Sequence, residues 1–275
     1  MPTRHAASLP DNGAEDYDLL APAVWNPVSN AVVSAADILL GERVLDVFAA
    51  TGAGTIPAAQ LAGPGGHVDA VDRSSAMLAL AEGKARALAL DNVSFHCSDP
   101  AIWAADEPYD VLLSAYGVFL LEDMDAGMDR LVRQLRPGGR SAVSAWDDGA
   151  LEPFGQILRE SITDGLSSNG RGNVTSSSRP VFVEHCRKLA SVDKLRSWLE
   201  GRGLREVTVE RLPLTVPLQP NHAWSLALGS GHRGMLPEDA DDRRRVQEAF
   251  AARLGDRFVL NADTLIAVGI FDPMT

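Results

Sequence analysis

The stretch VLDVFAATGAGT, residues 44–55, decides the fold. Val44, Leu45 and Val47 form a short apolar run with Asp46 near its end, which predicts a buried strand. Small residues then carry the chain through a sharp turn at Gly52, Ala53 and Gly54 into a helical pattern. Strand, Gly-rich turn and helix N-terminus in succession let the backbone of an α/β protein approach a bound nucleotide. Phe48 stands out, because it occupies a turn position where a small residue is expected.

Short apolar runs and helical patterns alternate downstream of this turn. Strands are predicted at 43–47, at 67–71 with Asp72 at its end, at 93–96 and at 110–115. A fifth follows the breaker Pro137, Gly138 and Gly139 and ends near Trp146. Ser74 is placed to cap a helix reaching about Leu90, and another helix is predicted at 124–135. This alternation predicts a parallel sheet with helices on both faces. Upstream, 17–40 reads as two short helices punctuated by Pro22 and Pro27. Beyond Trp146 the pattern is irregular: a helix at 152–165, a Ser/Gly/Asn-rich mobile loop at 165–180, and a helix at 192–200. A β-rich run at 207–216, helices at 221–230 and 238–254, and a last strand at 264–270 complete the chain. The expected divisions are a helical cap at 1–40, an α/β core at 41–146, a cap insertion at 147–192, and a C-terminal part at 193–275 with a helical insertion at 219–262.

With 275 residues the chain can bury a large single core. A formal charge of −12 argues against nucleic acid as a partner, since phosphate neutralisation needs clustered Lys and Arg. The basic triplet Arg243, Arg244 and Arg245 reads as a solvated helix face. The two cysteines, Cys97 and Cys186, form no CxxC pair, and no histidine cluster has metal-ligand spacing, so neither a disulfide framework nor a metal is expected. The N-terminal residues lack the apolar region of a secretory signal, and no apolar run approaches the roughly 18 residues of a membrane span. Arg well in excess of Lys and abundant Ala suggest bacterial coding. A soluble, cytoplasmic protein is expected, with no membrane insertion and its oligomeric state open.

Taken together, the landmarks from Tyr17 to Phe271 resemble the class I S-adenosylmethionine-dependent methyltransferases, in particular the small-molecule, ubiquinone- and menaquinone-biosynthesis-like branch. The family's first motif, an acid followed by alternating glycines, corresponds to Asp46, Phe48, Ala50 and Gly52, so only the last glycine is kept. The acid ending the second strand corresponds to Asp72, and the acid after the third to Asp99 in SFHCSDPA. YDVLLSAYGVFLLEDMD matches the fourth strand, and LRPGG the turn before the fifth. The resemblance implies a doubly wound, mostly parallel seven-stranded sheet, the Rossmann-like methyltransferase fold, with a helical cap. It implies S-adenosylmethionine as cofactor. Asp72 would accept from the ribose hydroxyls, Asp99 from the adenine amino group, and Gly52 would admit the methionine portion. Arg73, following the ribose acid, is expected to stack on adenine or face solvent. Met77, Ser98, Pro100 and Ser114 complete the expected cofactor shell, which Tyr17 and Trp25 help enclose. A nicotinamide fingerprint would need Gly52, Gly54 and a third glycine where Pro57 stands.

The expected activity is methyl transfer to a small, fairly apolar acceptor, with O-, N- and C-methylation all open, in bacterial specialised metabolism. Its pocket would include Tyr116, Phe119, Trp146 and Arg233. Where many relatives carry paired histidines this chain has Phe119 and Leu120, so proton acceptors are sought in His232, Tyr17 and His185. Phe48 keeps an alternative open: a methyltransferase-fold protein that binds, regulates or catalyses another reaction.

Overall fold

The computed structural model describes residues 13–167, 181–255 and 258–273. Seven strands form the main sheet: β1 (Arg43–Val47), β2 (His67–Asp72), β3 (Val93–Cys97), β4 (Tyr109–Ser114), β5 (Leu135–Trp146), β6 (Leu204–Leu212) and β9 (Thr264–Phe271). Their order is β3-β2-β1-β4-β5-β9-β6. β1 to β5 pair in parallel, and β9 runs antiparallel to both neighbours. This is the mostly parallel, doubly wound, seven-stranded sheet that the family resemblance implies. The chain winds outward from β1 to β3 and returns to β4, so a crevice opens between the ends of β1 and β4.

Burial explains which runs became central. Val111, Leu112 and Leu113 of β4 and residues 141–146 of β5 are buried without interruption, whereas the edge strands β3 and β6 are partly wet. Helices α1 (Ala14–Leu19) and α2 (Asn26–Ala36) flank a π-helical turn at Ala21–Trp25, and α2 packs over β4, β5 and β9. Then come α3 (Thr55–Ala62), α4 (Ser75–Ala87) and α5 (Met124–Val132). Ser74 caps α4 by accepting from the Met77 N–H. The C-terminal half adds α6 (Glu152–Ser167), α7 (Val181–Leu189), α8 (Val192–Glu200), α9 (Pro220–Leu228) and α10 (Ala240–Leu254). Among the described residues no helix is long and apolar enough to cross a membrane.

Several local expectations shift. The helix predicted at 124–135 stops at Val132, because Leu135 already pairs with Tyr109 as the first residue of β5. Pro137, Gly138 and Gly139 lie within β5, beside a register shift against β4. α6 runs past Gly165, whose bare backbone lets α10 approach; a Cβ there would stand 2.8 Å from the Val246 nitrogen. The rest of the expected mobile loop lies outside the described residues. The structure also adds α7 and a second, two-stranded sheet in which β7 (Thr215–Leu218) pairs antiparallel with β8 (Phe258–Asn261). This hairpin closes the 219–262 excursion, which carries α9, a 3-10 turn at Gly231–Met235 and α10. Two of the three arginines of the basic triplet are ion-paired on α10, Arg244 with Asp241 and Arg245 with Asp242, while Arg243 donates to the carbonyls of Pro237 and Glu238.

Candidate cofactor and acceptor site

The turn after β1 has a regular backbone rhythm. Phe48, Ala50 and Gly52 all adopt positive φ, at 57°, 48° and 85°. Every second residue is left-handed, which is the physical reason a glycine suits each of these positions. Gly52 is doubly constrained, since a Cβ would also stand 3.0 Å from that of Ala81 on α4. Phe48 is accommodated by a second glycine. A Cβ on Gly117 would lie 2.6 Å from Phe48 Cδ2 and 2.7 Å from Phe48 Cβ, so the ring lies over bare backbone after β4.

Acids hold this turn from below. Asp72 Oδ2 accepts from the Ala50 N–H at 2.9 Å, and Oδ1 from the Ser74 N–H at 2.9 Å. Burial raises the Asp72 pKa, against the opposing pull of these N–H groups and of Arg73. Asp46 is almost fully buried and accepts from the Thr55 hydroxyl at 2.6 Å. Burial pushes its pKa up to about 7; the Thr55 bond opposes the shift and the Asp72 charge adds to it. The Tyr17 phenol is raised well above its ordinary value by burial and by the facing carboxylates Asp72, Asp46 and Asp18. Beyond Asp72, Arg73 ion-pairs with Asp99 at 2.7 Å, and Asp99 also accepts from the Ala101 N–H. Ser98 donates its backbone N–H to the Asp72 carbonyl, Pro100 is buried beside Asp99, and Met77 is buried against Ala50. The Ser114 hydroxyl is buried with no hydrogen-bond partner, at the end of β4.

The turn opens into an aromatic cavity of about 70 Å³. Tyr17 stacks on Trp25 at 4.6 Å, Trp25 meets Tyr116 edge-on at 6.0 Å, and Tyr116 stacks on Trp146 at 3.8 Å. Phe48, Phe119 and Leu120 add to the wall, and the Tyr116 hydroxyl is bonded to Thr264. A second cavity of about 400 Å³ adjoins the first and shares Trp146, Leu151, Phe182 and His232 with it.

His232 stands at this junction. Its Nδ1 lies 3.0 Å from the Ser230 hydroxyl, and the rings of Phe154 and Phe182 meet it edge-on. Burial, aided by the charge of Arg159, pushes its pKa down to about 4, so the imidazole is neutral at neutral pH. The structure therefore brings Asp46, Phe48, Ala50, Asp72, Tyr17, Trp25, Tyr116, Phe119, Trp146 and His232 into one region. His185 and Arg233 stay outside both cavities: His185 Nδ1 contacts the Phe119 carbonyl, and Arg233 donates to the Leu228 carbonyl. Sequence reasoning missed Phe182, Leu226, Gly155 and Arg159. An apolar residue opening a short helix and an arginine on a wet helix face carry no signal of their own. Among the described residues no cluster of three metal-ligating side chains occurs.

The chain belongs to the methyltransferase-domain family, whose model matches residues 39–199, more than half of its length. The sheet is that of the class I S-adenosylmethionine-dependent methyltransferases, and S-adenosylmethionine is the methyl donor of that class. The chain is 36% identical over 143 residues to the uncharacterized protein Rv1405c of Mycobacterium tuberculosis, covering 52% of this chain and 50% of that one. It thus spans about half the length of this relative. It is 29% identical to the demethylmenaquinone methyltransferase of Clavibacter sepedonicus, covering 72% and 74% of the two chains. Its fold matches phosphoethanolamine N-methyltransferase 2 of Haemonchus contortus in complex with S-adenosyl-L-methionine, with a TM-score of 0.56, 17% identity, and 96% and 57% coverage.

Proposed function

We propose that this protein transfers a methyl group from S-adenosylmethionine to a small, fairly apolar acceptor, through oxygen, nitrogen or carbon, in cytoplasmic bacterial specialised metabolism. One observation carries the reading: a turn lined by the buried Asp46 and the half-buried Asp72, both with raised pKa, opens directly into an aromatic cavity. Acids of this kind suit a ligand that brings positive charge. When bound, S-adenosylmethionine supplies an already activated methyl group on a sulfonium. Asp72 would accept from the ribose hydroxyls, Asp99 and Ser98 would face the adenine with Met77 and Pro100, and Arg73 would hold Asp99 in place. The left-handed turn from Phe48 to Gly52, with Asp46 beneath it, would receive the methionine portion beside the Ser114 hydroxyl. Tyr17 and Trp25 would close over it. On the acceptor side, Tyr116, Phe119 and Trp146 exclude water and fix an apolar molecule in line with the methyl group, which supplies much of the rate. His232, neutral at working pH, is positioned to hydrogen-bond the acceptor or take its proton. The likeness to a demethylmenaquinone methyltransferase supports a quinone-like ring as acceptor.

Titration calorimetry with S-adenosylmethionine and S-adenosylhomocysteine tests this reading. One-to-one binding is expected, weakened about tenfold or more by Asp72→Asn. No heat at millimolar ligand would overturn it. Phe48 supports a second reading, a fold that binds without transferring methyl groups, because its ring borders the cavity. The fit of that ring over Gly117 favours the first.

A further inference from the structure

One polar spot interrupts the aromatic wall between the two cavities. Gly155 of α6 is buried, and a Cβ built there would stand 3.3 Å from Arg159 Nη1 and 3.8 Å from His232 Nε2. A guanidinium and an imidazole from separate excursions of the chain thus converge over a residue that contributes no side chain. With His232 Nδ1 engaged by Ser230, Nε2 is the ring nitrogen directed at the spot. The imidazole is neutral there, so Arg159 carries the charge at the spot itself; of the other cations lining the same cavity, Arg187 is paired with Glu152 and Glu184, and Lys194 donates to the Arg187 carbonyl. Among the described residues Arg159 has no carboxylate partner, although acids line the same cavity. Asp147 is engaged by Arg211 at 2.8 Å, Glu152 is paired with Arg187 at 3.6 Å, and Asp148 is exposed.

Arg159 is exposed on the wall of the larger cavity, so an uncharged guest would leave its guanidinium to water alone. An anionic oxygen would answer both the guanidinium and the imidazole, and charge-assisted hydrogen bonds of this type are the strong ones. We propose that the acceptor is an apolar ring compound bearing an anionic oxygen, with the ring between Trp146 and Phe182 and the oxygen held by Arg159 and His232 over Gly155. This rests on the methyltransferase reading above and narrows its substrate class. The methyl-accepting atom is a separate group of the same molecule, presented to the cavity bordered by Phe48 and Tyr116.

The test uses the intact protein with saturating S-adenosylhomocysteine and three probes of one shape: 2-naphthoate, 2-naphthol and 2-naphthamide. Calorimetry is expected to show 2-naphthoate binding about tenfold or more tightly than 2-naphthamide. Arg159→Gln should bring 2-naphthoate down to the level of the amide, leaving the amide and S-adenosylhomocysteine within about twofold of their original affinities. Arg159→Lys should keep part of the preference. Tighter binding of 2-naphthol above its own pKa would identify an acidic hydroxyl as the source of the anion, and a flat profile would identify a carboxylate. Arg159 is exposed, so its replacement removes no core packing, and Gly155→Ala, which fills the spot, should weaken the preference for 2-naphthoate in the same way. Equal affinity for acid and amide, or a preference that survives Arg159→Gln, overturns the proposal. If S-adenosylhomocysteine binds and the preference is missing, only this proposal falls. If S-adenosylhomocysteine does not bind, the methyltransferase reading falls, and the acid-to-amide ratio measured without it still decides the fate of the spot.

Discussion

Phe48 and Ala50 show what a single residue costs and gains in the turn after β1. Each holds a side chain in the left-handed region, a conformation costing roughly 1–2 kcal/mol for a non-glycine residue. Ala50→Gly should therefore leave the protein as stable or up to about 1 kcal/mol more stable, as read by urea denaturation. Gly117→Ala should do the opposite. Its methyl would meet Phe48 and the Ser114 hydroxyl at 2.5–2.7 Å, and overpacking of this kind costs about 1–3 kcal/mol. Asp46 adds a pH dependence. Its folded-state pKa, about 7, lies above that of an unfolded aspartate, so its contribution is greatest in acid and is lost as pH rises from about 4 towards 7. Melting temperatures between pH 5 and 8 should show a shallower fall for Asp46→Asn than for the parent. Affinity for the cationic cofactor should instead rise with pH to about 7 and then level off. Below pH 7, binding should release a proton, seen as calorimetric heats that vary with the buffer's ionisation enthalpy.

Among the elements, α1 brings Tyr17 to the wall of the aromatic cavity. Lys84 of α4 donates to Asp18 of α1 at 2.5 Å and to the Thr51 carbonyl at 2.9 Å, linking α1 to the turn after β1. Asp16 accepts from the Ser225 hydroxyl of α9, and a Cβ on Gly229 would stand 2.5 Å from the Tyr17 nitrogen. Gly229→Ala should therefore push α1 away and raise the dissociation constant for S-adenosylhomocysteine by about tenfold while leaving the main sheet folded, which far-ultraviolet circular dichroism checks. None of these ties can be read from sequence, because a lysine at a half-exposed helical position looks like any other. The main strands were legible, since Val44, Val111 and Val143 sit in apolar runs bounded by turns. β8 and α7 were not: four residues of a small hairpin show too little alternation, and α7 follows a tract without periodicity. Asp72 and Tyr116 were legible from their order along the chain. Arg159 required knowing that Gly155 and His232 meet.

For the whole molecule, the walls of the two cavities come from differently built parts of the chain. Asp46, Asp72 and the left-handed turn grow from the parallel strands, whose order cannot change without rebuilding the core. His232 rides on the excursion clamped at its base by β7 and β8. The register from Thr215–Asn261 to Leu218–Phe258 brings the two ends of that excursion together before α9 begins and after α10 ends. The cost of closing such a loop grows only slowly with its length. The hairpin fixes both ends of the segment on one short sheet, while α10 packs along α6 and buries Val246 and Phe250 in the core. The wall that His232 gives to both cavities is thus held from two sides, by the β7–β8 register at the base of the excursion and by the packing of α10 on α6.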